Sequence, residues 1–314
     1  METKEIGELE VSAVGLGCNN FGMMIDQAGT QAVVDAALEA GITYFDTAES
    51  YGGGESEVML GKALGSRRDE MVIATKWGHT KSLAAGERGG DPALVREHLE
   101  ASLTKLGTDH VDHYQLHRPD PDTPPEETLG VLAELRAEGK VREIGCTAFS
   151  AAQLEEHHAA AEAAGVPPWA SVQNHYSLLT RDPETDGVFD ACERLGTAFV
   201  PFFPLESGLL TGKYRAGEDR PDDARLARWG ERSADFIDDD RLAVVERLIA
   251  WCEERDHTLL DLAISWHTSH PLVASVISGA TRPDQVRANV AASTWSLTAE
   301  DRAEVDRVVA GASA

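Results

Sequence analysis

Eight short apolar runs, each followed by a stretch with apolar residues at helical spacing, predict an α/β protein folded as a closed (β/α)₈ barrel. Several runs are almost wholly apolar, which is typical of parallel strands that helices cover on both faces. The length of 314 residues fits one such barrel with long loops. Without a repeat or linker in the sequence, we expect a single domain over 1–314.

The strand and helix boundaries follow from composition. The eight predicted strands are 11–17, 42–48, 71–76, 111–117, 141–147, 170–175, 197–203 and 274–279. A short hairpin is expected before them. Asp91 with Pro92 predicts one helix start, and Ser150 with Gln153 predicts a capping box at another. Three glycines are expected to end helices: Gly41, Gly139 and Gly165.

Three connections are longer than a barrel turn requires: 78–91, 118–125 and the Arg- and Asp-rich stretch 213–237. All three follow the C-terminal ends of predicted strands, which is the face where barrel enzymes form their active sites. Long loops at such a face usually shape a pocket. The sequence therefore predicts a site at this end of the barrel.

The charge balance limits the classes of partner. The chain has 54 acidic and 28 basic residues, for a formal net charge of −26. Such a surface repels nucleic acid and anionic lipid, so we expect neither as a partner. The N-terminal residues lack a secretory signal, and no apolar run approaches the roughly 20 residues that span a bilayer. These features predict a soluble, cytoplasmic protein.

The four cysteines are Cys18, Cys146, Cys192 and Cys252. They are widely spaced and form no C-x-x-C pair, so the sequence predicts reduced thiols and no zinc site. We expect no metal. Most of these cysteines are expected to be small core residues, although Cys18 and Cys146 follow strands and could lie near the site.

Four proton-active side chains follow three successive predicted strands: Asp46, Tyr51, Lys76 and His117. A free tyrosine has a pKa of about 10, and a neighbouring ammonium group favours the phenolate. We therefore expect Lys76 to lower the pKa of Tyr51, and Asp46 to hold the ammonium in place. With His117 orienting a carbonyl, this set can protonate an alkoxide as it forms.

Two other chemistries are compatible with parts of this set. Lys76 could be the Schiff-base nucleophile of a barrel aldolase. An aldolase, however, would give no role to Arg282 or to the pair Gln173–Asn174, which also lie at or after the ends of predicted strands. A metal hydrolase built on Asp46 and His117 is less favoured, because no His-x-His pair or ligand cluster accompanies them.

Five segments, in order, resemble the signatures of the aldo-keto reductases: FDTAESYGGGESEVMLGKAL, ATKWG, LHRPDP, SVQNHYSLL and PLESGLLTGKY. The resemblance extends from about residue 3 to residue 310. It implies a reductase of an aldehyde or ketone, with Tyr51 as general acid toward a carbonyl that receives hydride from NADPH. Some members are channel-associated subunits, so a cofactor-binding regulatory or sensing subunit with little turnover is the alternative.

The segment VGLGCNNFG lacks the spacing of a dinucleotide-binding G-x-G-x-x-G loop. The resemblance implies instead a cofactor extended across the barrel mouth. The expected cofactor-binding residues are Gly17, Cys18, Asn19, Asp46, Thr147, Gln173, Phe202, Phe203, Pro204, Leu205, Ser207, Gly208, Leu210, Lys213, Gly279, Ala280, Arg282, Gln285 and Asn289. Arg282 lies at a helix start, where its charge suits a phosphate. By the resemblance this phosphate is the adenosine 2′-phosphate, which implies a moderate preference for NADP(H) over NAD(H).

The substrate pocket is expected to involve Asn20, Phe21, Tyr51, Trp77 and His117, with a small-molecule carbonyl as substrate. Packing at the rim is an equal alternative for Trp77. The sequence departs from the family at three places. Thr147-Ala148 replaces a common Ser-Asn, Ser278 replaces a frequent proline, and Ala288 replaces a common glutamate. The first and third are expected to weaken cofactor binding. Neither the substrate nor the oligomeric state can be read from the sequence.

Overall fold

A computed structural model describes residues 1–215 and 237–311. Eight parallel strands form a nearly closed barrel, as predicted. They are β3 (Val14–Gly17), β4 (Tyr44–Asp46), β5 (Val72–Trp77), β6 (Val111–Leu116), β7 (Val141–Thr147), β8 (Ser171–His175), β9 (Ala198–Phe202) and β10 (Val276–Gly279). The order around the sheet is β10-β3-β4-β5-β6-β7-β8-β9. Phe199 joins the two edges, with its N–H 2.9 Å from Leu272 O and its carbonyl 2.9 Å from Ala274 N.

An antiparallel hairpin precedes the barrel, formed by β1 (Thr3–Ile6) and β2 (Leu9–Ser12). Its apolar side chains Ile6 and Leu9 are buried and cluster with Tyr44 at the start of β4. The hairpin was expected, but the predicted strand 11–17 is in fact two pieces. Ser12 ends the hairpin and turns its hydroxyl onto Val14 O, 2.7 Å away, where the barrel strand begins.

The helices lie outside the strands. They are α1 (Gln27–Glu39), α2 (Glu55–Leu64), α3 (Pro92–Leu106), α4 (Pro125–Ala137), α5 (Ala151–Ala164), α6 (Asp182–Thr185), α7 (Val188–Leu195), α8 (Asp239–Glu253), α9 (Leu259–Thr268), α10 (Pro283–Ala292) and α11 (Ala299–Ala310). The predicted caps are confirmed: the Asp91 carboxylate accepts from Ala93 N, and Ser150 and Gln153 form a capping box. The three expected helix-ending glycines have φ between 66° and 82°. The stretch 213–237 lies largely outside the described residues.

The interior of the barrel below the mouth holds polar groups that satisfy one another. The His113 ring lies 2.9 Å from Tyr44 Oη and 3.0 Å from Ser171 Oγ. Burial lowers the pKa of His113 to about 3, so the imidazole is neutral. Gly145 on the next strand makes room for it, since a Cβ there would lie 2.4 Å from His113 Nε2.

The four cysteines are buried free thiols. Within residues 1–215 and 237–311, no helix has the length and apolar character needed to cross a membrane. The same described ranges contain no group of three or more His, Cys, Asp or Glu side chains placed to hold a metal ion.

Candidate active site

Three consecutive glycines place Tyr51 at the barrel mouth. After β4, the chain enters a short 3₁₀ turn over Tyr51–Gly54. Gly52, Gly53 and Gly54 have φ of 59°, 68° and 95°, a left-handed conformation that glycine adopts without steric cost. At Gly52, a Cβ would also lie 2.6 Å from Phe21 O. The glycines let the chain reverse tightly, so that Tyr51 lines the mouth directly before α2.

Lys76 joins Tyr51 to Asp46. Its ammonium nitrogen lies 2.5 Å from Asp46 Oδ2, 2.9 Å from Thr47 O and 3.4 Å from Tyr51 Oη. Lys76 is fully buried, and Asp46 is 3% exposed. An ammonium group has three donors, and here each has an acceptor. The predicted contact between lysine, aspartate and tyrosine is therefore present in the structure.

The other oxygen of Asp46 accepts hydrogen bonds from two side-chain amides. Gln115 Nε2 lies 3.2 Å and Gln173 Nε2 3.0 Å from Asp46 Oδ1. A buried ion pair is tolerated only when its remaining hydrogen-bonding groups are also satisfied. Gln115 was missed by the sequence analysis, although it lies two residues before His117 and so on the same face of β6. Both Asp46 oxygens already accept hydrogen bonds from protein side chains. This argues against the metal hydrolase, in which Asp46 would be a metal ligand.

Protonation states follow from burial and from this ion pair. Burial by itself lowers the pKa of Lys76, but the Asp46 carboxylate outweighs it and the pKa is raised. A lysine that stays charged is a poor Schiff-base nucleophile, which argues against the aldolase.

The expectation for Tyr51 was wrong in its net direction. The Lys76 ammonium does lower the pKa of Tyr51, but burial raises it by more, helped by the Asp46 carboxylate. The pKa of the phenol therefore lies above its ordinary value of 10.0, and Tyr51 carries its proton at neutral pH. A protonated phenol is the form that a general acid needs before the reaction.

His117 is neutral and lies beside Tyr51. Their ring centroids are 5.8 Å apart in an edge-to-face arrangement, and His79 lies 4.7 Å from the other side of His117. Burial, together with the charge of Lys76, lowers the pKa of His117 to about 2. Its buried Nδ1 has no hydrogen-bond partner among the described residues. A neutral imidazole can donate one hydrogen bond, here toward a group in the mouth.

A cavity of about 510 Å³ runs across the mouth from Tyr51 and His117 to Arg282. Most of the residues expected to bind the cofactor line it. They are Gly17, Asn19, Asp46, Thr147, Gln173, Phe202, Phe203, Pro204, Leu205, Ser207, Gly208, Lys213, Gly279, Arg282, Gln285 and Asn289. Asn20 also lines it, as expected for the substrate pocket.

Among the described residues expected to bind cofactor or substrate, five do not line the cavity: Cys18, Phe21, Trp77, Leu210 and Ala280. All five are buried. Trp77 stacks on Tyr114 with ring centroids 4.2 Å apart and donates its indole N–H to Gly89 O. It therefore packs beside the site and is not part of the pocket wall, which corrects the sequence-based assignment.

Side chains and backbone tie the loops of the mouth together. Glu49 accepts from Gly78 N at 3.0 Å, and Asp120 accepts from Gly90 N at 2.7 Å. Across the barrel, Asn20 donates to Ala280 O at 3.1 Å. The Thr147 hydroxyl donates to the carbonyl of His117. These bonds join the loops after β4, β5 and β6 to one another and to the end of β7, and they join the loop after β3 to the loop after β10.

The loop after β9 has an unusual backbone. Phe203, Glu206 and Ser207 have φ of 54°, 45° and 56°, although none is glycine. Residues other than glycine rarely adopt this left-handed conformation, because it costs of order 1–2 kcal/mol for each of them. Packing or hydrogen bonds must therefore hold the loop in place, and Ser207 and its neighbours line the cavity.

The buried Glu206 carboxylate supplies these bonds. Its Oε1 accepts from Ser177 at 2.5 Å and Thr180 at 2.8 Å, and lies 2.9 Å from His175 Nε2. Arg241 reaches its Oε2 at 3.3 Å. Burial alone would raise the pKa of Glu206, but the contacts with His175, Ser177 and Thr180 lower it to about 2. Glu206 was missed by the sequence analysis because its partners are distant in the chain.

Replacing Glu206 by glutamine is expected to destabilise the fold in a pH-dependent way. A pKa of about 2 in the folded state, against an ordinary 4.5, corresponds to about 3 kcal/mol at pH 7. Because the folded pKa is depressed, this stabilisation is full above about pH 5 and is lost as the pH falls toward 2. Urea unfolding of the parent and of Glu206→Gln between pH 3 and 7 measures it.

Glu155→Gln is the matched control, since Glu155 is a half-exposed partner of Arg194 on the outer helices. We expect little change of stability in that variant at any pH. A stability gap between the parent and Glu206→Gln that stayed constant down to pH 3 would contradict the assigned role of the carboxylate.

The far end of the cavity carries hydroxyl, cationic and helix-terminal groups. The hydroxyls of Ser207 and Ser278 are buried with no hydrogen-bond partner among the described residues. Arg282 is the residue before α10, and its guanidinium contacts Asp284 at 3.1 and 3.2 Å. Phe202 offers an aromatic ring, packed at 5.4 Å on His175. These groups fit the ring, diphosphate and nucleoside phosphate of a dinucleotide.

A family model described as the aldo/keto reductase family matches residues 13–310. The chain belongs to the aldo/keto reductase family. It is accordingly an oxidoreductase that acts on small carbonyl compounds, in a family that generally uses nicotinamide cofactors.

Curated aldo/keto reductase relatives match almost the whole chain. An L-glyceraldehyde 3-phosphate reductase of Escherichia coli O157:H7 is 30% identical, covering 96% of this chain and 90% of the relative. A probable voltage-gated potassium channel subunit beta of Arabidopsis thaliana is 33% identical, covering 93% and 91%. Aldo-keto reductase str7 of Strobilurus tenacellus is 34% identical, covering 98% and 92%.

A solved structure of the glycerol dehydrogenase of Gluconobacter oxydans has the same fold as this aldo/keto reductase. Its TM-score is 0.81 at 27% identity, and the match covers 98% of this chain and 95% of that one. The barrel, the hairpin and the family predicted from sequence are thus confirmed.

Proposed function

We propose that this protein reduces an aldehyde or ketone to an alcohol with NADPH, and that Tyr51 is the proton donor. The observation that carries the proposal is the Lys76 ammonium, fully buried and in contact with both Tyr51 Oη and Asp46. A cavity of about 510 Å³ extends from this group toward Arg282, long enough to hold more than a small substrate.

The roles of the residues follow from their protonation states. His117, neutral and with one ring N–H, donates a hydrogen bond to the carbonyl oxygen and orients it. Tyr51, protonated, gives its proton to that oxygen as negative charge develops there. Lys76 stabilises the phenolate that remains, and Asp46 keeps Lys76 charged and positioned. The bound nicotinamide supplies the hydride to the carbonyl carbon.

The cofactor is held by the residues of the elongated cavity. When the cofactor is bound, Gln173 would contact the carboxamide, Phe202 would offer its ring to the nicotinamide, and Ser207 with its loop would contact the diphosphate. Arg282 and the start of α10 would hold the adenosine 2′-phosphate, which favours NADPH. The preference is moderate because Asp284 already binds Arg282, and this contact lowers the pKa of Asp284 and keeps it ionised.

A substrate panel with each cofactor tests the proposal. The purified protein is mixed with NADPH or NADH and with activated aromatic aldehydes, short hydroxyaldehydes and L-glyceraldehyde 3-phosphate, the compound in the name of one relative. We expect loss of nicotinamide absorbance with at least one aldehyde, and a higher kcat/KM with NADPH than with NADH. Absence of turnover across the whole panel with both cofactors would reject the reductase.

The second candidate is a cofactor-binding subunit with little turnover. The observation in its favour is the 33% identity to a probable potassium channel subunit beta. Tight NADPH binding together with turnover below one per minute on every aldehyde would favour this candidate. Steady turnover on any natural carbonyl would count against it.

A further inference from the structure

Arg118 lies beside His117 in the cavity, and no partner binds its side chain within the described residues. It directly follows His117, and its side chain lines the cavity together with Tyr51 and His117. The side chain is exposed. Among residues 1–215 and 237–311, no hydrogen bond or ion pair involves its guanidinium. An arginine so placed in a cavity presents five unused donors to whatever enters.

The carboxylate nearest to it in the chain, Asp120, is already engaged. Asp120 accepts from Gly90 N, from Asp122 N and from the hydroxyl of Thr123. On the neighbouring loop, Arg88 is paired with Asp91. The loop is thus held together without Arg118, and folding of the loop does not account for this charge.

Arg118 also follows a different strand from the other two cations that line the cavity, Lys213 and Arg282. It follows β6, whereas Lys213 and Arg282 follow β9 and β10. In the barrel order β10-β3-β4-β5-β6-β7-β8-β9, four steps separate β6 from β10, which is half of the ring. Arg118 therefore stands across the mouth from Arg282, beside the proton donor.

The negative net charge of the protein limits the range over which a cation at the mouth can act. The protein has a formal net charge of −26, so its field repels anions on approach. A cation at the mouth acts only over a short range, on a group already in the cavity. The Arg118 charge reaches its neighbours, because it contributes to lowering the pKa of His79 and of His117.

We propose that Arg118 binds an anionic group, a carboxylate or a phosphate, on the same molecule as the carbonyl that is reduced. The planar guanidinium matches either anion with two parallel hydrogen bonds. This inference rests on the proposed function, since it assigns the substrate class of the same site.

Matched pairs of aldehydes test it. One pair is 4-formylbenzoate and its neutral methyl ester, and the other is 4-formylphenyl phosphate and neutral 4-methoxybenzaldehyde. Each is reduced by the parent, Arg118→Met, Arg118→Lys and Arg118→Glu at saturating NADPH. The readout is the anionic-to-neutral ratio of kcat/KM for each pair, compared between variant and parent, so that intrinsic reactivity cancels.

The expected result is that Arg118→Met lowers kcat/KM for the anionic aldehydes roughly three- to tenfold, through KM, and leaves the neutral partners within about twofold. Arg118→Lys should retain most of the preference, and Arg118→Glu should lower it further. The pair with the larger change identifies the anion. Arg194→Met, at an exposed arginine on α7 that pairs with Glu155, is the control and should leave both ratios unchanged.

Other outcomes overturn the inference. An equal fall for anionic and neutral aldehydes in Arg118→Met would assign Arg118 a structural role. Unchanged ratios in all three variants would show that it binds no part of the substrate. In both cases the parent still reduces aldehydes and the proposed function stands. If the parent reduced no aldehyde in either pair or in the panel above, the proposed function would fail, and this inference with it.

Discussion

Replacing Tyr51 by phenylalanine is expected to lower kcat for aldehyde reduction by about 10²–10⁴-fold. The substitution removes one oxygen, and with it the proton that Tyr51 is proposed to give to the carbonyl oxygen. Lys76 and Asp46 keep their own contact of 2.5 Å, so the cavity should retain its shape. Stopped-flow and steady-state absorbance measurements with the best aldehyde from the panel give kcat.

Binding of NADPH, followed by quenching of tryptophan fluorescence, should change less than about threefold in Tyr51→Phe. Tyr44→Phe is the matched control, because Tyr44 is a buried phenol that contacts His113 below the mouth. That variant is expected to lose stability and to keep its kcat. If Tyr51→Phe reduces every aldehyde as fast as the parent, the proton comes from another group.

Replacing Lys76 by methionine is expected to lower the free energy of unfolding by about 3–5 kcal/mol. Lys76 is fully buried, and its removal leaves the Asp46 carboxylate in the barrel without its cation. The amides of Gln115 and Gln173 remain, but they cannot replace a full charge. Guanidinium unfolding at pH 7 measures the loss, and reductase activity should fall with it.

The double variant Asp46→Asn/Lys76→Met separates stability from chemistry. With no unpaired charge left, it should be more stable than Lys76→Met alone, and it should still be inactive. A double variant as unstable as the sum of the two single changes would mean that the pair does not interact as the distances indicate.

The sequence was sufficient to predict the barrel and the meeting of Asp46, Lys76 and Tyr51. The reason is geometric: parallel strands of a barrel deliver the residues at their C-terminal ends to one mouth. Once the strands were placed to within two or three residues, the side chains that end them had to converge. The family resemblance added the expected role of each side chain, with Tyr51 as the general acid.

Trp77 shows where that reasoning failed, and the failure was avoidable. Successive side chains of a strand point to opposite faces. Since Lys76 faces the barrel interior, Trp77 must face the surrounding helices, where it stacks on Tyr114. The alternation along β5 excluded Trp77 from the pocket before any coordinates were known.

The sign of the Tyr51 pKa and the role of Glu206 could not be read from the sequence. The first depends on how far burial outweighs a neighbouring cation, which requires the packed site. The second depends on donors from Ser177, Thr180 and Arg241, brought together only by the fold. The break at Ser12 between hairpin and barrel is a similar case, since a continuous apolar run hides it.

The hydrogen bonds that Glu49, Asp120 and Asn20 make between the loops of the mouth affect how the substrate range of such a protein can change. They fasten the loop backbones to one another, and the Glu49 and Asp120 side chains that make two of them do not line the cavity. We therefore expect that residues on the rim, Arg118 among them, can be exchanged without shifting Tyr51. Natural or laboratory selection can then alter substrate range in single steps while the chemistry stays intact.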